Sequence, residues 1–450
     1  MKQTTLGICA LSLAACTALY AQQAENAPVP VKARHSGSGQ VVTPLSSIQH
    51  PADLGRRAHT HFKIFVPPGR PEGSQGFPEE DITADNTPVN GYYAETPASL
   101  ACLYGLVTWT TGCNPYSLPN TKVATGGSKA IAIVDAYDYP TALNDLQKYS
   151  TQFGLPVPTS ANFTVSWATT KPGPDPACAS NGGWNCWEAE EALDIEMAHA
   201  MAPAAHIYLV EANSSSYSDL FAAETKAISL VAAAGGGEVS NSWGGGEFST
   251  ETSYDSKFVG TNVVVFASTG DSEGTEYPST SPNVVAVGGT TLSRSPATLN
   301  IEDEIAWEDG GGGVSPYELR PSYQAGIVAI VGTHRGVPDV AAIGNPRTGV
   351  WVYDSYENTY DVNGTPTLEP WNIFGGTSVA SPLWAGVVNH AGHFSASGAA
   401  EHTLLYANDQ LDPNLRDITY GSCGYYEGWF AVAGWDFCTG LGVPYGSAGK

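Results

Sequence analysis

The chain has 450 residues, and its 44 acidic against 19 basic side chains give a formal net charge of 19 − 44 = −25. So acidic a surface argues against binding to nucleic acid or to an anionic membrane. Glycine and proline are abundant and only 14% of the residues are charged, which excludes a coiled coil and a disordered chain and favours a loop-rich globular protein.

The first 21 residues predict a secretory signal peptide, because Met1-Lys2 is followed by an apolar run. That run is too short to span a bilayer as a stable helix, and no later stretch has the necessary length and hydropathy. Ala21 ends an ordinary cleavage site, whereas the four residues ending at Cys16 resemble a lipobox. We expect a secreted protein, with anchoring through a lipid on Cys16 as the alternative.

The cysteines fit an exported chain. Two of the eight lie in the predicted signal peptide, and the other six form three pairs that are close in sequence. Six cysteines allow 15 pairings, so closeness in sequence is a preference and not a proof. In an oxidising compartment it predicts three disulfides, namely Cys102–Cys113, Cys178–Cys186 and Cys423–Cys438.

Residues 22–91 are rich in proline, serine and glycine and predict an irregular leader or linker, with a strand pattern only at 61–66. From residue 92 onwards, apolar strands alternate with helices. The predicted strands are 129–135, 205–210, 239–244, 262–267 and 284–288, and the predicted helices are 139–153 and 188–201. This order predicts an α/β fold, a parallel sheet with helices on both faces, in a single domain over 92–450.

The segment 374–382, Phe-Gly-Gly-Thr-Ser-Val-Ala-Ser-Pro, places Ser378 at the start of an apolar helix. The backbone N–H groups of a helix N-terminus point at whatever the serine attacks, and the helix dipole favours negative charge there. The segment has the serine signature of subtilisin-like peptidases, so the predicted sheet is expected to be subtilisin-like.

A subtilisin-like serine needs a histidine on an early helix, and none of the ten histidines has that setting. His199 is late in its helix, and His206 enters the following strand. The same helix carries Glu190 and Asp194, four residues apart on one face. Two carboxyls that share a proton provide a base at acidic pH. A solvated acidic face is the alternative explanation of this pair.

A third acid, Asp271, follows a predicted strand in the loop Gly270-Asp271-Ser272. Ligands of parallel sheets gather at the carboxyl ends of strands, where Asp135 and Trp243 also lie. A protonated carboxyl in this loop could donate to an oxyanion. A simple turn-forming Asp is the alternative.

With these residues together, the chain resembles the sedolisin family of serine-carboxyl peptidases over about residues 92–446. Three motifs match in the family's order: Glu-x-x-x-Asp on a helix, Gly-Asp-Ser after a strand, and Gly-Gly-Thr-Ser-x-x-x-Pro. Residues 240–244, 277–290, 310–315 and 337–340 are also similar to family segments. The leader is shorter than the large folded propeptide that is usual in the family.

The resemblance implies a role for each matching residue. Ser378 would be the nucleophile, and Glu190 the general base and later the general acid. Asp194 would orient and polarise Glu190, and Asp271 would donate to the oxyanion beside the Ser378 N–H. Asp135 and Trp243 take the places of an acid and a tryptophan behind Glu190, and Asp135 is shorter than the glutamate found in the family.

The resemblance also implies one structural Ca²⁺ near the C-terminus. The implied ligands are two carboxylates and three backbone carbonyls, completed by water: Asp417, Ile418, Val432, Gly434 and Asp436. The family usually has glycine at the Val432 position. An acidic loop without a metal is the alternative.

The sequence therefore favours a monomeric, secreted, acid-acting endopeptidase whose partners are protein or peptide substrates. One alternative is a catalytically silent, calcium-dependent binding or adhesion protein on a peptidase fold. Another is a conventional Ser/His/Asp enzyme using Asp135, which would need a histidine near Ser378.

Overall fold

The computed structural model describes residues 39–67, 88, 92–116, 122–177, 186–356, 370–407, 415–424 and 428–446. The predicted signal peptide, with Cys16, lies outside these residues. The strands are β1 Gln40–Val42, β2 His59–Thr60, β3 Lys63–Val66, β4 Ala130–Ala136, β5 Phe163–Trp167, β6 His206–Ala212, β7 Gly237–Asn241, β8 Trp243–Gly246, β9 Val263–Ser268, β10 Glu276–Tyr277, β11 Val284–Arg294, β12 Ile301–Ala306, β13 Gly313–Leu319, β14 His334–Val337, β15 Val340–Ile343, β16 Val350–Tyr353, β17 Trp371–Gly375, β18 Leu415–Arg416, β19 Ser422–Cys423, β20 Trp429–Phe430 and β21 Val443–Pro444. The α-helices are α1 Pro97–Leu103, α2 Ala142–Phe153, α3 Trp187–Met201, α4 Tyr217–Ala233, α5 Val328–Val331, α6 Thr377–Ala391 and α7 Gly398–Ala407.

The central sheet has the strand order β12-β11-β9-β7-β4-β6-β5, with β15 also paired to β11. Its neighbours are parallel except β11 and β12. Strand β4 explains the arrangement, because all its residues are buried and its side chains alternate between two apolar clusters. Ile131 and Ile133 enter one cluster, and Ala132 and Val134 enter the other. The predicted parallel sheet with helices on both faces is confirmed.

The two faces of the sheet are covered by different helices. Leu193 of α3 and Leu383 of α6 lie in the cluster on one face, whereas Leu220 and Phe221 of α4 lie in the cluster on the other. Every residue of α3 is buried, including all its glutamates and Asp194. The alternative of a solvated acidic face is therefore wrong for this helix.

Residues 39–67 are part of this folded unit. Strand β3 pairs antiparallel with β1 and with β17, and β2 pairs antiparallel with β8. Phe62, Ile64 and Phe65 are buried in the apolar core. The prediction of an irregular leader is wrong for this stretch, because its apolar side chains gain burial only against the strands of the larger domain.

Two of the three predicted disulfides are confirmed, Cys102–Cys113 and Cys423–Cys438, each with a Cα–Cα distance of 5.4 Å. Cys186 is disulfide-bonded, and Cys178, its predicted partner, lies outside the described residues. Among the helices in the described ranges, none combines the length and hydropathy that a membrane span requires.

A buried ion pair between Arg335 and Asp339 links β14 and the start of β15 to the central sheet. The Arg335 Nη2 and Nη1 atoms lie 2.7 and 3.2 Å from the two carboxylate oxygens of Asp339, and both side chains are inaccessible to solvent. Arg335 also donates to the Val284 carbonyl, and Asp339 accepts from the Ala286 N–H. These bonds hold the start of β11 against β15.

We expect Asp339→Ala to lower the free energy of unfolding by about 3–5 kcal/mol, because it leaves the Arg335 charge buried and unpaired. Lys171→Ala is the control, since Lys171 pairs with Asp138 while 53% exposed, and it should cost at most about 1 kcal/mol. Urea unfolding of both variants measures the difference. Equal losses would contradict the structural role of the buried pair.

Candidate active site

Ser378 lies in the first turn of α6, directly after a constrained glycine. Gly376 caps the helix with φ of 115°, a conformation that side chains rarely adopt. A Cβ at this position would lie 2.0 Å from the His61 carbonyl oxygen and 2.6 Å from Asp271 Oδ2. The glycine therefore brings the helix N-terminus, Asp271 and the segment around His61 together.

Pro382 explains the spacing of the serine motif. Four residues after Ser378, it lacks the N–H that would bond the Ser378 carbonyl within the helix. That carbonyl instead accepts from Ser242 Oγ at 3.3 Å, and the same hydroxyl lies 2.8 Å from Asp194 Oδ1. One hydroxyl proton cannot serve both acceptors fully, so a proton on Asp194 would satisfy the whole group.

The structure brings Glu190 and Asp194 to Ser378. Burial raises the pKa of Glu190 well above its usual range; the charges of Asp194 and Asp135 add to this, and the nearby Ser378 side chain opposes it. Burial likewise raises the pKa of Asp194, opposed by its hydrogen bond with Ser242. The two carboxyls are thus a coupled pair that holds on to protons.

Asp135 and Trp243 lie next to each other, and both are buried. Trp243 is buried, and its indole N–H donates to the Val134 carbonyl at 2.9 Å, beside Asp135 at the end of β4. Burial, then the charges of Asp194 and Glu211, raise the pKa of Asp135. Within the described residues no hydrogen bond joins Asp135 to Glu190.

Asp271 lies at the N-terminus of α6. Its Oδ1 accepts from the Thr377 N–H at 2.7 Å and from the Thr377 hydroxyl at 3.0 Å, while Oδ2 faces Gly376. Burial raises the pKa of Asp271 to about 6, although the charges of Lys63 and His61 and the Thr377 bonds oppose this. Below that pH the carboxyl is protonated and Oδ2 can donate.

The segment around His61 crosses the site in an extended conformation. The His61 N–H donates to the Ser242 carbonyl at 3.2 Å, which continues the antiparallel pairing of β2 with β8. The Ser378 N–H donates to the His61 carbonyl at 3.1 Å. After Phe62 the chain enters β3, which pairs with β17. A backbone carbonyl therefore occupies the place where an oxyanion would be held.

His61 is thus a histidine near Ser378, but its ring faces elsewhere. Its Nδ1 lies 2.6 Å from Ser268 Oγ and its Nε2 lies 2.9 Å from Glu276 Oε2. The Ser378 hydroxyl donates to the Ser242 carbonyl at 3.3 Å. No imidazole hydrogen-bonds that hydroxyl in the part of the chain that the structure describes, which argues against a conventional Ser/His/Asp arrangement.

His59 joins His61 and Glu276 in a buried cluster. Its Nε2 is 3.5 Å from Glu276 Oε2. Burial opposes the charged form of His59, but the Glu276 carboxylate outweighs it and raises the pKa of His59. Burial likewise opposes the charge on Glu276, yet the two histidines hold the pKa of that carboxyl well below its usual range.

Asp417 and Asp436, near the C-terminus, both accept hydrogen bonds from the loop that contains Val432 and Gly434. Asp417 Oδ2 accepts from the Gly434 N–H at 2.8 Å, and Asp436 Oδ2 accepts from the Val432 N–H at 3.0 Å. Ile418, between them in sequence, is buried. Burial raises the pKa of Asp436 to about 6 despite its backbone hydrogen bonds. The two carboxylates are oxygen donors of the kind that Ca²⁺ takes, and in this structure both accept hydrogen bonds from backbone N–H groups.

Several residues of the site were not predicted from sequence: His59, His61, Lys63, Ser242 as a hydrogen-bond partner, Ser268 and Glu276. The strand pattern at 61–66 is the available signal for His61 and Lys63, but His59 precedes it and nothing local ties that strand to Ser378. Glu276 precedes Tyr277-Pro278 in a stretch that had suggested only family likeness.

The geometry defines a class of protein. A serine at a helix N-terminus, flanked by proton-holding carboxyls and without an imidazole on its hydroxyl in the described ranges, makes a serine hydrolase in which carboxyl groups take the place of histidine.

Known proteins agree with that class. A sequence model of the subtilase (peptidase S8) family matches residues 178–402. Kumamolisin from Bacillus sp. strain MN-32 is 32% identical over 361 residues, 71% of this chain and 59% of kumamolisin. Sedolisin from Pseudomonas sp. strain 101 is 30% identical over 186 residues, 38% of this chain and 29% of sedolisin. The chain therefore belongs to the subtilase family, in its sedolisin branch of serine-carboxyl peptidases.

A solved structure gives the same fold. Pseudomonas sedolisin complexed with two molecules of pseudo-iodotyrostatin matches with a TM-score of 0.58 at 22% identity, covering 78% of this chain and 95% of that one. The sequence matches span somewhat more than half of kumamolisin and under a third of sedolisin.

We expect Gly376→Ala to destabilise the protein more than Gly392→Ala, although both glycines have positive φ at the ends of α6. A Cβ at Gly392 meets nothing within 4 Å, so that change should cost about 1–2 kcal/mol in backbone strain alone. Gly376→Ala must also displace the His61 carbonyl, and hydrogen exchange in residues 59–66 should rise. Equal unfolding energies and unchanged exchange would contradict the contact.

Proposed function

We propose that this protein is a secreted endopeptidase that acts in acid and cleaves peptide bonds through an acyl group on Ser378. One observation carries the proposal: an extended segment of the chain lies across the cleft with its His61 carbonyl on the Ser378 N–H. Strand addition to β8 supplies backbone hydrogen bonds that do not depend on sequence, as suits peptide substrates.

The same segment favours an endopeptidase over an enzyme that trims chain ends. β2 precedes His61 along β8, and β3 continues beyond it along β17. The cleft is therefore open to chain on both sides of the carbonyl. The bond after that carbonyl, His61–Phe62, is the one presented to the serine, so the leader is itself a candidate substrate.

The carboxyls provide the base. The proton that the pair keeps would lie on Asp194, so that Glu190 is ionised before the attack. Ser378 would then attack the carbonyl carbon while Glu190 takes the hydroxyl proton, and Glu190 would give that proton to the amine as the tetrahedral intermediate expels it. In the second half, water would attack the acyl carbon while Glu190 takes a proton from it, and Glu190 would return that proton to Ser378 Oγ as the acid product leaves.

The oxyanion would receive two hydrogen bonds, one from the Ser378 N–H and one from protonated Asp271. Each such donor is worth about 2.7–4 kcal/mol of transition-state stabilisation. Because the pKa of Asp271 is raised to about 6, its donor form is present below pH 6 and is lost as the pH rises through that value. This supports activity in acid.

One structural Ca²⁺ would be held by the carboxylates of Asp417 and Asp436 with the carbonyls of Ile418, Val432 and Gly434. The two disulfides in the described residues favour an oxidising compartment, and hence secretion. Lipid anchoring through Cys16 and the monomeric state stay predictions.

Ser378→Ala should abolish cleavage of a denatured protein, a loss of at least about 10⁴-fold, and the variant should keep its leader intact. Ser381→Ala is the control, because Ser381 lies on the same helix and bonds only Ser240 among the described residues. The active chain should yield a new N-terminus at Phe62, read by mass spectrometry. Unchanged proteolysis in Ser378→Ala would refute the nucleophile. A chain that cleaves nothing in acid would favour the silent binding protein.

Asp271 should set the upper pH limit of activity. In the unmodified chain kcat is expected to fall about tenfold per pH unit above 6. Asp271→Asn keeps a neutral donor and should lose that fall, whereas Asp271→Ala should be about 10²–10³-fold slower in acid. Asp303→Asn, an exposed carboxyl, is the control. If the activity of the unmodified chain rises up to pH 8, Asp271 does not act as the hydrogen-bond donor to the oxyanion.

Calcium should raise the midpoint of thermal unfolding, by an amount equivalent to about 2.7 kcal/mol at a hundredfold excess over the dissociation constant. Asp436→Asn should remove this effect, and Asp303→Asn should retain it. Scanning calorimetry of Ser378→Ala protein avoids self-digestion. A calcium effect that survives in Asp436→Asn would place the ion elsewhere.

A further inference from the structure

We propose that His59, His61 and Glu276 form a binding site for a divalent transition metal of the zinc type, which fastens the segment 59–66 across the active-site cleft. Two ligands belong to the segment and the third belongs to the wall of the cleft. They are the one group of three such side chains, among the residues described, whose ligand atoms all lie within 4.8 Å of one another.

Backbone geometry puts the three ligands on one side of a small sheet. His59 and His61 are two residues apart in extended chain, so their rings leave the same face. Thr60, between them, points the other way and bonds Ser47. β8 runs between β2 and β10, and Glu276 reaches across β8 from β10.

A glycine makes room for this cluster. Gly244 pairs with His59 on β8, and a Cβ there would lie 2.8 Å from the His61 ring and 3.1 Å from Glu276 Oε2. Any other residue at this position would occupy the space in which the ligands converge. The pocket is thus built into the backbone pairing.

The distances suit coordination. The Nε2 atoms of His61 and His59 lie 2.9 and 3.5 Å from Glu276 Oε2. Zinc bonds of about 2.0–2.1 Å in tetrahedral geometry separate neighbouring ligand atoms by about 3.3 Å. His61 is 1% exposed, and the side chains of His59 and Glu276 are 11% and 9% exposed.

A second layer of hydrogen bonds prepares His61 for a metal. Ser268 Oγ lies 2.6 Å from His61 Nδ1 and 3.5 Å from the Asn241 carbonyl oxygen, so an N–H at Nδ1 would satisfy the hydroxyl and leave the hydroxyl proton for the carbonyl. In that state Nε2 faces the Glu276 carboxylate. Either a proton or a metal ion between Nε2 and the carboxylate satisfies both, and a metal ion can also bind Nε2 of His59.

Ligand chemistry selects the metal. Imidazole nitrogens suit zinc, copper, nickel and cobalt rather than calcium or magnesium. Two histidines and one carboxylate leave a fourth position open. Asp53 and Asp271 are close enough to act on His59 electrostatically, so the surroundings favour a cation.

Metal binding at this site would depend on whether the segment 59–66 is docked in the cleft or released from it. Because its ligands come from both the segment and the wall, binding stabilises only the form in which the segment is docked. Zinc should therefore slow release and cleavage of the leader. This part of the proposal rests on the proposed peptidase function, whereas metal binding itself does not.

Binding is tested on full-length Ser378→Ala protein, which cannot digest itself, with calcium in excess and ZnCl₂ titrated at pH 7.5 by calorimetry. We expect one zinc per chain. His59→Asn, His61→Asn and Glu276→Gln should each weaken binding at least about tenfold, whereas His50→Asn, an exposed leader histidine, should not. CoCl₂ should give the visible absorption of a tetrahedral site in the parent protein only. No binding, or binding that all three ligand variants retain, overturns the site.

A separate experiment tests whether zinc stabilises the docked position of residues 59–66 in the cleft. Zinc should lower hydrogen exchange in residues 59–66 of Ser378→Ala protein, with no such effect in Glu276→Gln. In the active chain, zinc should delay the appearance of cleaved leader, and a zinc-selective chelator should reverse the delay. If zinc binds without lowering hydrogen exchange in residues 59–66, the proposal that zinc holds this segment in the cleft is wrong. An inactive chain that still binds zinc and protects the segment refutes the peptidase function alone.

Discussion

The cost of burying carboxyl groups without a cation governs this structure. Helix α3 packs on the sheet beside α6, with Glu190 and Asp194 inaccessible to solvent. Ionising both in such a place is unfavourable, so at least one proton stays with the pair. In the proposed mechanism, Ser378 uses this pair as its base in place of a histidine.

The N-terminus of α6 supplies the second part of the candidate active site, which is the pair of groups proposed to bind the oxyanion. It presents the Ser378 N–H and the proton-holding Asp271 to one point, and Gly376 keeps that point clear of side chain. In the proposed mechanism, activity in acid would follow from burial at both ends, because the base would be a carboxyl pair and the oxyanion donor a carboxylic acid. Lys63, which donates to the Asp271 carbonyl and to Asp309, links the crossing segment to this donor.

The segment 59–66 is held by three different kinds of interaction. Backbone pairing with β8 and β17 fixes its direction, Phe62 and Ile64 enter the core, and the histidines meet Glu276. A docked segment with such contacts competes with any incoming peptide by mass action within one molecule. Under the proposed function, the segment would have to leave the cleft before a peptide substrate could bind.

Local patterns in the sequence determined a large part of this picture. The alternation of apolar strands and helices predicted the parallel sheet, and the serine motif with Pro382 predicted a nucleophile at a helix start. The i, i+4 spacing put Glu190 and Asp194 on one face. Each of these follows from short-range geometry, which a sequence carries within a few residues.

Only the tertiary structure decided the remainder. It buried α3 on every side, paired β3 with β17 at positions as much as 375 − 63 = 312 residues apart, and brought His59 and His61 to Glu276. The proline-rich composition of the leader predicted irregular chain, because the strands that complete its pairing lie far away in sequence. Burial and long-range pairing depend on which distant residues the fold brings next to a given residue. The local sequence around that residue does not specify those distant neighbours.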